Sequence, residues 1–428
     1  MRIFQRLEYG FTVFALFLYT SSILALVLSR GAVTQGETVN FNSSLILLIF
    51  SLTYLVIGIL VICRWKKFLR SLRGEFVILP ILAFAGLSYF WSDAPDVTLR
   101  RLVAITGTSL FGLYLGSRYS IRQQLHLLAC SFGLIVLISL AFVIALPSYG
   151  ISSGLHEGAW RGVFIHKNGL GISMVTSATV FGLLAVGEKE RRWLYWMAFF
   201  TSVALMLMAQ SGTAIVTLSV VLLALPVYRI FTLKGSLKIT WSLLAMLTVL
   251  TIPIGLVWAN PEQFLALIGE DATLTGRTTI WAIVIDTISQ RPILGYGYEA
   301  FWRGLSGPSA VLYYVDQITA AHSHNGILEL WTGLGFAGVV IFVSGLWLNF
   351  LRAITYLHSD TSAESYWPAA YLTTMVLVNI AESNILQYNE LKWVLYAAVS
   401  ISLAKWITAR KDMARGHITD AGSTVNPI

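Results

Sequence analysis

A polytopic, all-α membrane protein is the fold class this sequence predicts, and three observations predict it. Hydrophobic residues make up 56% of the 428 positions and charged residues only 12%, against about 25% charged in a soluble domain. Apolar runs of about 20 residues, the length that crosses a hydrocarbon layer about 30 Å thick, recur from end to end. The lysines and arginines collect in alternate breaks between those runs, as they do on the cytoplasmic side of membrane proteins.

Spanning helices are expected near 9–29, 43–63, 75–91, 102–117, 124–147, 168–187, 193–209, 213–230, 239–258, 326–350, 366–384 and 391–408. Helices are the expected form because a chain in lipid must satisfy its backbone polar groups internally. The first run, Phe11 to Leu28, follows Arg2 and Arg6; it is too long for a signal-peptide core and lacks a convincing cleavage site, so it reads as a spanning helix. The organisation is then a block of nine helices over 1–258, a large polar loop over 259–325, three more helices over 326–408 and a loosely ordered polar tail over 409–428. No internal repeat is evident. Cys63 and Cys130 fall inside apolar runs and read as small core residues, with no disulfide framework.

The formal net charge of +8 raises the question of nucleic acid, and the placement of the charges answers it. With the N-terminus inside, 20 of the 29 basic residues lie on the cytoplasmic side, including Arg64, Lys67, Arg118 and Arg352. That bias predicts both ends cytoplasmic and the large loop outside, and it accounts for most of the charge with no nucleic acid. The nine outer cations are Arg30, Arg100, Arg101, Arg161, Lys167, Arg277, Arg291, Arg303 and Lys392. Orientation does not explain them. Seven lie in three short segments, Arg100-Arg101, Arg161 to Lys167 and Arg277 to Arg303, that, clustered, form one candidate anion site at the outer face.

Three motifs could carry chemistry, and the first is Trp160-Arg-Gly-Val-Phe-Ile-His-Lys-Asn-Gly-Leu-Gly171. It leads through Asn168, a candidate helix cap, into an apolar helix whose first N–H groups favour an anion. Arg161 and Lys167 are candidate phosphate ligands; snorkelling of both to lipid headgroups is the competing reading. The second is Gly276-Arg-Thr-Thr-Ile-Trp281 and the residues after it. Ile280, Ile283, Val284 and Ile288 share a helical face, although Thr287 falls on it and Ile285 falls off. Residues 278–290 therefore read as a short amphipathic helix on the outer surface. Either it is a lid bringing in Arg277, or it packs on the bundle with Arg277 solvated.

The third is Ala321-His-Ser-His-Asn-Gly-Ile-Leu-Glu-Leu-Trp-Thr-Gly-Leu-Gly-Phe-Ala-Gly338. His322 and His324 precede an apolar helix that Asn325 can cap, and Gly333, Gly335 and Gly338 allow close helix packing. The histidines share a face in an extended segment, but no further ligand stands at local metal spacing, so a general base is preferred to a metal site. A histidine with a reference pKa of about 6.5 suits removal of a proton from a hydroxyl. Hydrogen bonding to nearby backbone is the structural alternative. Glu329 and Glu382, acids within or near the outer ends of spans, either orient a histidine, pair with an arginine or serve structure. Tryptophan and tyrosine near the outer ends suit interfacial anchoring or sugar stacking.

Together these segments resemble the O-antigen ligase and polysaccharide polymerase superfamily. The most specific part is His324-Asn325 followed at this spacing by Gly335 and Gly338. The Arg-Gly-x-Phe-x-His-Lys-Asn and Gly-Arg-x-x-x-Trp segments resemble two further recurring blocks, and the run around Arg161 is most similar to exopolysaccharide polymerases of the succinoglycan type. The resemblance implies a metal-independent, inverting glycosyltransferase of the C-type membrane class, without a cofactor, in the bacterial inner membrane. Its donor is a glycan on undecaprenyl diphosphate at the periplasmic face. Its acceptor is another lipid-linked repeat unit for a polymerase, or lipid A-core for a ligase; membrane lipids and a chain-length regulator are the other candidate partners. On this reading His324 is the base, Arg161 and Arg277 stabilise the leaving diphosphate, and His322, Lys167, Arg101 and Asn325 bind substrate or support the site. The Arg or Lys, three residues, then Leu pattern described for ligases has no clean match: Arg101 to Ile105 and Arg161 to Ile165 come closest. This favours polymerase over ligase. A transporter or flippase would place polar residues near the midplane, often in related halves; a non-catalytic assembly subunit is a further alternative.

Overall fold

The computed structural model describes residues 2–20, 44–230, 276–318 and 320–422. The expected helix at 239–258, the second half of that at 9–29 and the first part of the large loop lie outside the described residues. Among the described residues every regular element is helical: α1 Arg2–Leu18, α2 Ser44–Cys63, α3 Trp65–Ser71, α4 Ile78–Leu87, α5 Pro95–Arg118, α6 Ile121–Ala145, α7 Lys167–Gly187, α8 Arg192–Met208, α9 Gly212–Ile230, α10 Arg277–Gln290, α11 Ala310–Asp316, α12 Gly326–Ser359, α13 Trp367–Ala381 and α14 Leu391–Gly422. Four of these, α2, α6, α7 and α12, are long and apolar enough to cross a membrane, and α4, α8 and α9 are shorter apolar helices.

The burial pattern is that of a protein solvated by lipid. In α2, Leu45, Leu48, Leu52, Leu55, Ile59 and Ile62 are exposed, while Phe50, Thr53, Ile57 and Leu60 face inward. An apolar outer face of that extent belongs against hydrocarbon. With no hydrophobic drive between helices in lipid, close packing rests on small residues. Gly112 and Gly116 of α5 supply it: a Cβ on either would stand 2.4 Å from the carbonyl oxygen of Val394 or Ala398 on α14.

Helices α5, α7 and α12 start at one end of the bundle and finish at the other, and α14 starts beside Ser109, within α5, and runs parallel to it. At the first end, Asp93 meets Arg291 and Asn168 meets Glu382. At the second, Arg118 meets Glu8, Arg410 meets Ser359 and Lys405 reaches the Gly116 carbonyl. Arg291, expected outside, and Arg118, Lys405 and Arg410, expected inside, thus stand at opposite ends, whereas Lys392, expected outside, lies beside Tyr371.

Helix α12 is broken. Gly335 has φ +66° and ψ −174°, a conformation open essentially to glycine alone. The backbone groups released at the break are taken up by the segment 292–297: Tyr296 and Gly297 N–H donate to the Thr332 and Gly333 carbonyls at 2.9 Å, and Phe336 and Ala337 N–H donate to the Pro292 and Ile293 carbonyls at 2.8 and 3.1 Å. Trp331 Nε1 also donates to Pro292 O at 2.9 Å. On its other side the segment is held by Asp93 N–H, which donates to Tyr296 O, and by Trp91 Nε1, which donates to Leu294 O. Gly335 therefore serves a backbone-on-backbone contact and not the helix–helix packing expected of it.

Three other expectations change. The helix expected at 75–91 starts at Ile78, because the Glu75 carboxylate accepts the Val77 and Ile78 N–H groups, and it closes in a 3-10 turn at Ser88–Trp91. The last helix runs on to Gly422 through the region expected as a loose tail. The amphipathic helix is α10, but its face is buried by protein: Ile280, Val284, Ile288 and Leu312 pack with Trp281, Leu328 and Trp331.

Two substitutions separate the break from ordinary packing. A Cβ at Gly335 would lie 2.1 Å from Ile293 O, whereas at Gly333 the nearest atom is 3.6 Å away. Gly335→Ala is expected to cost at least about 2 kcal/mol and lower the melting temperature in detergent, and Gly333→Ala to melt close to wild type. Equal melting of the two would refute the assigned role of the break.

Candidate active site

The histidine segment is organised around Ser323, which is fully buried. Its N–H donates to Glu329 Oε2 at 2.8 Å and its Oγ lies 2.9 Å from the same oxygen. Its carbonyl accepts from Trp281 Nε1 at 2.9 Å, which ties the segment to α10. Asn325 caps α12 as expected, accepting the Ile327 and Leu328 N–H groups at 3.0 and 3.1 Å; its Nδ2 donates to Ile380 O at 3.3 Å. His324 between them is left-handed, φ 51°, an uncommon state for a residue with a Cβ and one found where surroundings impose it. The two imidazoles lie 4.1 Å apart between centroids, and His324 N–H donates to His322 Nδ1 at 3.3 Å.

Glu382, the residue after α13, joins the three segments. Its Oε2 is 3.5 Å from His324 Nδ1, its Oε1 is 3.8 Å from Arg277 Nη2, and Oε1 accepts from Asn168 Nδ2 at 3.1 Å. The last is a formed hydrogen bond, and the other two are electrostatic contacts at the margin of bonding distance. Burial pushes the Glu382 carboxyl up, but His324, His322 and Arg277 outweigh it and hold it down at about 2, so it is ionised at any physiological pH. Burial pulls His322 down to about 4, helped by His324 and opposed by Glu382; it is neutral near pH 7. His166 shifts down too, through burial first, with Glu382 opposing and His324 and Arg161 reinforcing. Three histidines, one carboxylate and two arginines share one field.

The remaining candidates have their own positions. Arg277 is the first residue of α10 and is 7% exposed; the helix is docked on the bundle, yet its arginine is buried against Glu382 and not solvated. Arg161, 5% exposed, donates to the Tyr149 and Ser148 carbonyls at 2.9 and 3.2 Å, both within a one-turn helix at Pro147–Gly150. It therefore braces its own loop as well as facing His166. Lys167 Nζ donates to Gln210 O at 2.9 Å. Arg101 stands apart from Glu382: its guanidinium lies 4.4 Å over the Tyr388 ring and faces Glu299. Asn168 is not the cap of α7, which starts at Lys167 with His166 at the cap position. Its bond to Glu382 lies between residues 214 positions apart in sequence, beyond the reach of local pattern, as was the part played by His166 and Ser323. Among the described residues no group of three His, Cys, Asp or Glu side chains is arranged to hold a metal ion.

Chemically, the arrangement offers an imidazole with a fixed carboxylate behind Nδ1, which leaves Nε2 for a substrate proton, beside a buried guanidinium suited to a phosphate. It also predicts acid sensitivity. Both pKa values are depressed, so the unfolded chain binds protons first. The His322 contribution is complete above the ordinary histidine value of 6.5 and falls away as the pH drops toward about 4. The Glu382 contribution is complete above 4.5 and is lost toward about 2. Thermal melts are expected to decline between about pH 7 and pH 4, and His322→Asn to flatten that decline; an unchanged slope in the variant would remove His322 as its source.

Residues 197–343 match the family described as O-antigen ligase, a stretch that carries Arg277, His322, His324 and Gly335 and leaves Arg161, Asn168 and Glu382 outside it. The chain is also 25% identical over 313 residues to the exopolysaccharide production protein ExoQ of Rhizobium meliloti (strain 1021), covering 70% of each chain. As its motifs led one to expect, the chain is similar to proteins of the O-antigen ligase and polysaccharide polymerase superfamily.

Proposed function

We propose that the chain is a glycosyltransferase that joins oligosaccharide repeat units carried on undecaprenyl diphosphate into exopolysaccharide or O-antigen. The observation that carries this reading is Glu382, which holds a histidine and a buried arginine in one site. In the reaction, His324 Nε2 takes the proton of an acceptor sugar hydroxyl. The hydroxyl oxygen attacks the anomeric carbon of the donor from the face opposite the diphosphate, which inverts that centre. The bond from carbon to diphosphate oxygen breaks, and its electron pair leaves with the diphosphate. Ionised Glu382 stabilises the imidazolium through Nδ1, and Arg277, with Arg161 behind it, balances the charge developing on the leaving oxygen. The proton on His324 then passes to the released diphosphate or to water. The family resemblance implies that no metal or cofactor takes part.

The same reading places the protein in the bacterial inner membrane with twelve spans of C-type glycosyltransferase architecture, both termini cytoplasmic and the site periplasmic. Its support is the separation of outer and inner cations to opposite ends of the bundle. Polymerase is preferred because the relative is named for exopolysaccharide production; transfer to lipid A-core is the alternative, which the family description favours.

Purified protein given only lipid-linked repeat units is expected to make polymer with no lipid A-core present; product that appears only on adding lipid A-core would assign ligase instead. His324→Ala is expected to slow transfer about a hundred- to ten-thousandfold, and Arg277→Ala about a hundred- to thousandfold. Wild-type rates in both variants would end the catalytic assignment, and movement of the carrier lipid without a new glycosidic bond would assign a transporter.

A further inference from the structure

At the end of the bundle opposite His324, Glu8 lies 3% exposed between two arginines. Arg64 donates from Nε and Nη2 to its two oxygens at 2.9 and 2.7 Å. Arg118 does the same at 3.1 and 3.3 Å, and Tyr114 OH donates at 2.6 Å. One carboxylate neutralises only one of two guanidinium groups. Lys67, a third cation, lines with both arginines a cavity of about 260 Å³, so three positive charges line the cavity and the one carboxylate, Glu8, stands behind them bonded to the two arginines. The bonds to Glu8 use Nε and Nη2 of each arginine, and among the described residues no acceptor meets either Nη1.

The setting identifies the kind of anion. Helix α3 beside the cavity buries Phe68 and Ser71 and exposes Trp65 and Leu69, one turn apart. Lys66 Nζ sits 5.7 Å over the Trp65 ring. Exposed tryptophan and leucine among lysines and arginines mark a helix at headgroup depth, and α2, which leads into it, presents leucines and isoleucines outward.

We propose that this cavity binds the phosphate of an anionic headgroup at the membrane surface opposite the His324 site. The two Nη1 groups and the Lys67 ammonium supply charge-assisted donors to its oxygens. A zwitterionic choline headgroup brings a cation toward the same arginines and is disfavoured. Occupancy ties together α1, α3 and α5, which supply Glu8, Lys67 and Arg118, and the junction between α2 and α3, which supplies Arg64.

The test uses the full-length protein in nanodiscs of phosphatidylcholine with phosphatidylglycerol, with retained lipid read by native mass spectrometry. Arg64 and Arg118 hold a buried carboxylate, so the variants are Lys67→Ala and Lys67→Glu, at an exposed position. Wild type is expected to retain phosphatidylglycerol over phosphatidylcholine and to release it to millimolar inorganic phosphate. Lys67→Ala is expected to lower retention about fivefold, and Lys67→Glu further. Equal retention of the two lipids, or undiminished retention in Lys67→Glu, overturns the proposal. Binding of inorganic phosphate without any lipid retention overturns the headgroup as its source.

Discussion

The break in α12 is the constraint on which the rest of the structure depends. A helix interrupted inside a membrane protein releases N–H and C=O groups that no water is there to receive, and each one left unpaired costs several kcal/mol. Here the chain at 292–297 receives them, and only a glycine at position 335 lets the two backbones come close enough. The consequence reaches well beyond the break. The segment that fills it follows directly from α10, so pairing with α12 fixes where α10 lies, and α10 carries Arg277 at its first residue. The same helix α12 is capped by Asn325, one residue after His324. One backbone contact thus sets the relation between the candidate base and the candidate anion-binding arginine.

Within that frame, Glu382 supplies the electrostatic reason for the cluster to hold together. Three imidazoles and two guanidinium groups in one partly desolvated site would repel if all were charged. The carboxylate, ionised because His324, His322 and Arg277 hold its pKa down, offsets the arginines, while burial keeps His322 neutral near pH 7. The arginines divide their duties accordingly: Arg277 faces the carboxylate directly, and Arg161 is engaged with the carbonyls of its own loop. Glu329 serves the scaffold, since its carboxylate accepts the Ser323 N–H and so holds the turn in which His324 takes its left-handed conformation.

Much of the candidate site was legible in the residues. Arg161, Lys167, Arg277, His322, His324 and Asn325 stand in polar segments that membrane orientation does not require, and the structure brings most of these segments to one end of the bundle. The cap at Asn325 was readable because a cap is local chemistry. Arg101 lay in an equally suggestive segment and is turned to Tyr388 and Glu299, a distinction that rests on which way one helix face points. Asn168 looked like a cap by the same local rule that succeeded at Asn325, but α7 already starts at Lys167, and the Asn168 amide nitrogen donates to Glu382.

Composition and periodicity were sufficient for the class of fold, because the number of apolar residues and the length of their runs are set by the thickness of a bilayer, and charge bias alone separated the two ends. Glycine spacing after His324 marked the resemblance without revealing its cause. That cause, a helix interrupted to take a second piece of backbone, and the choice of Glu382 over Glu329 as the partner of His324, depend on contacts between residues scores of positions apart in the chain. No local pattern encodes such contacts, since each is decided by the whole set of helix packings that must be satisfied at once.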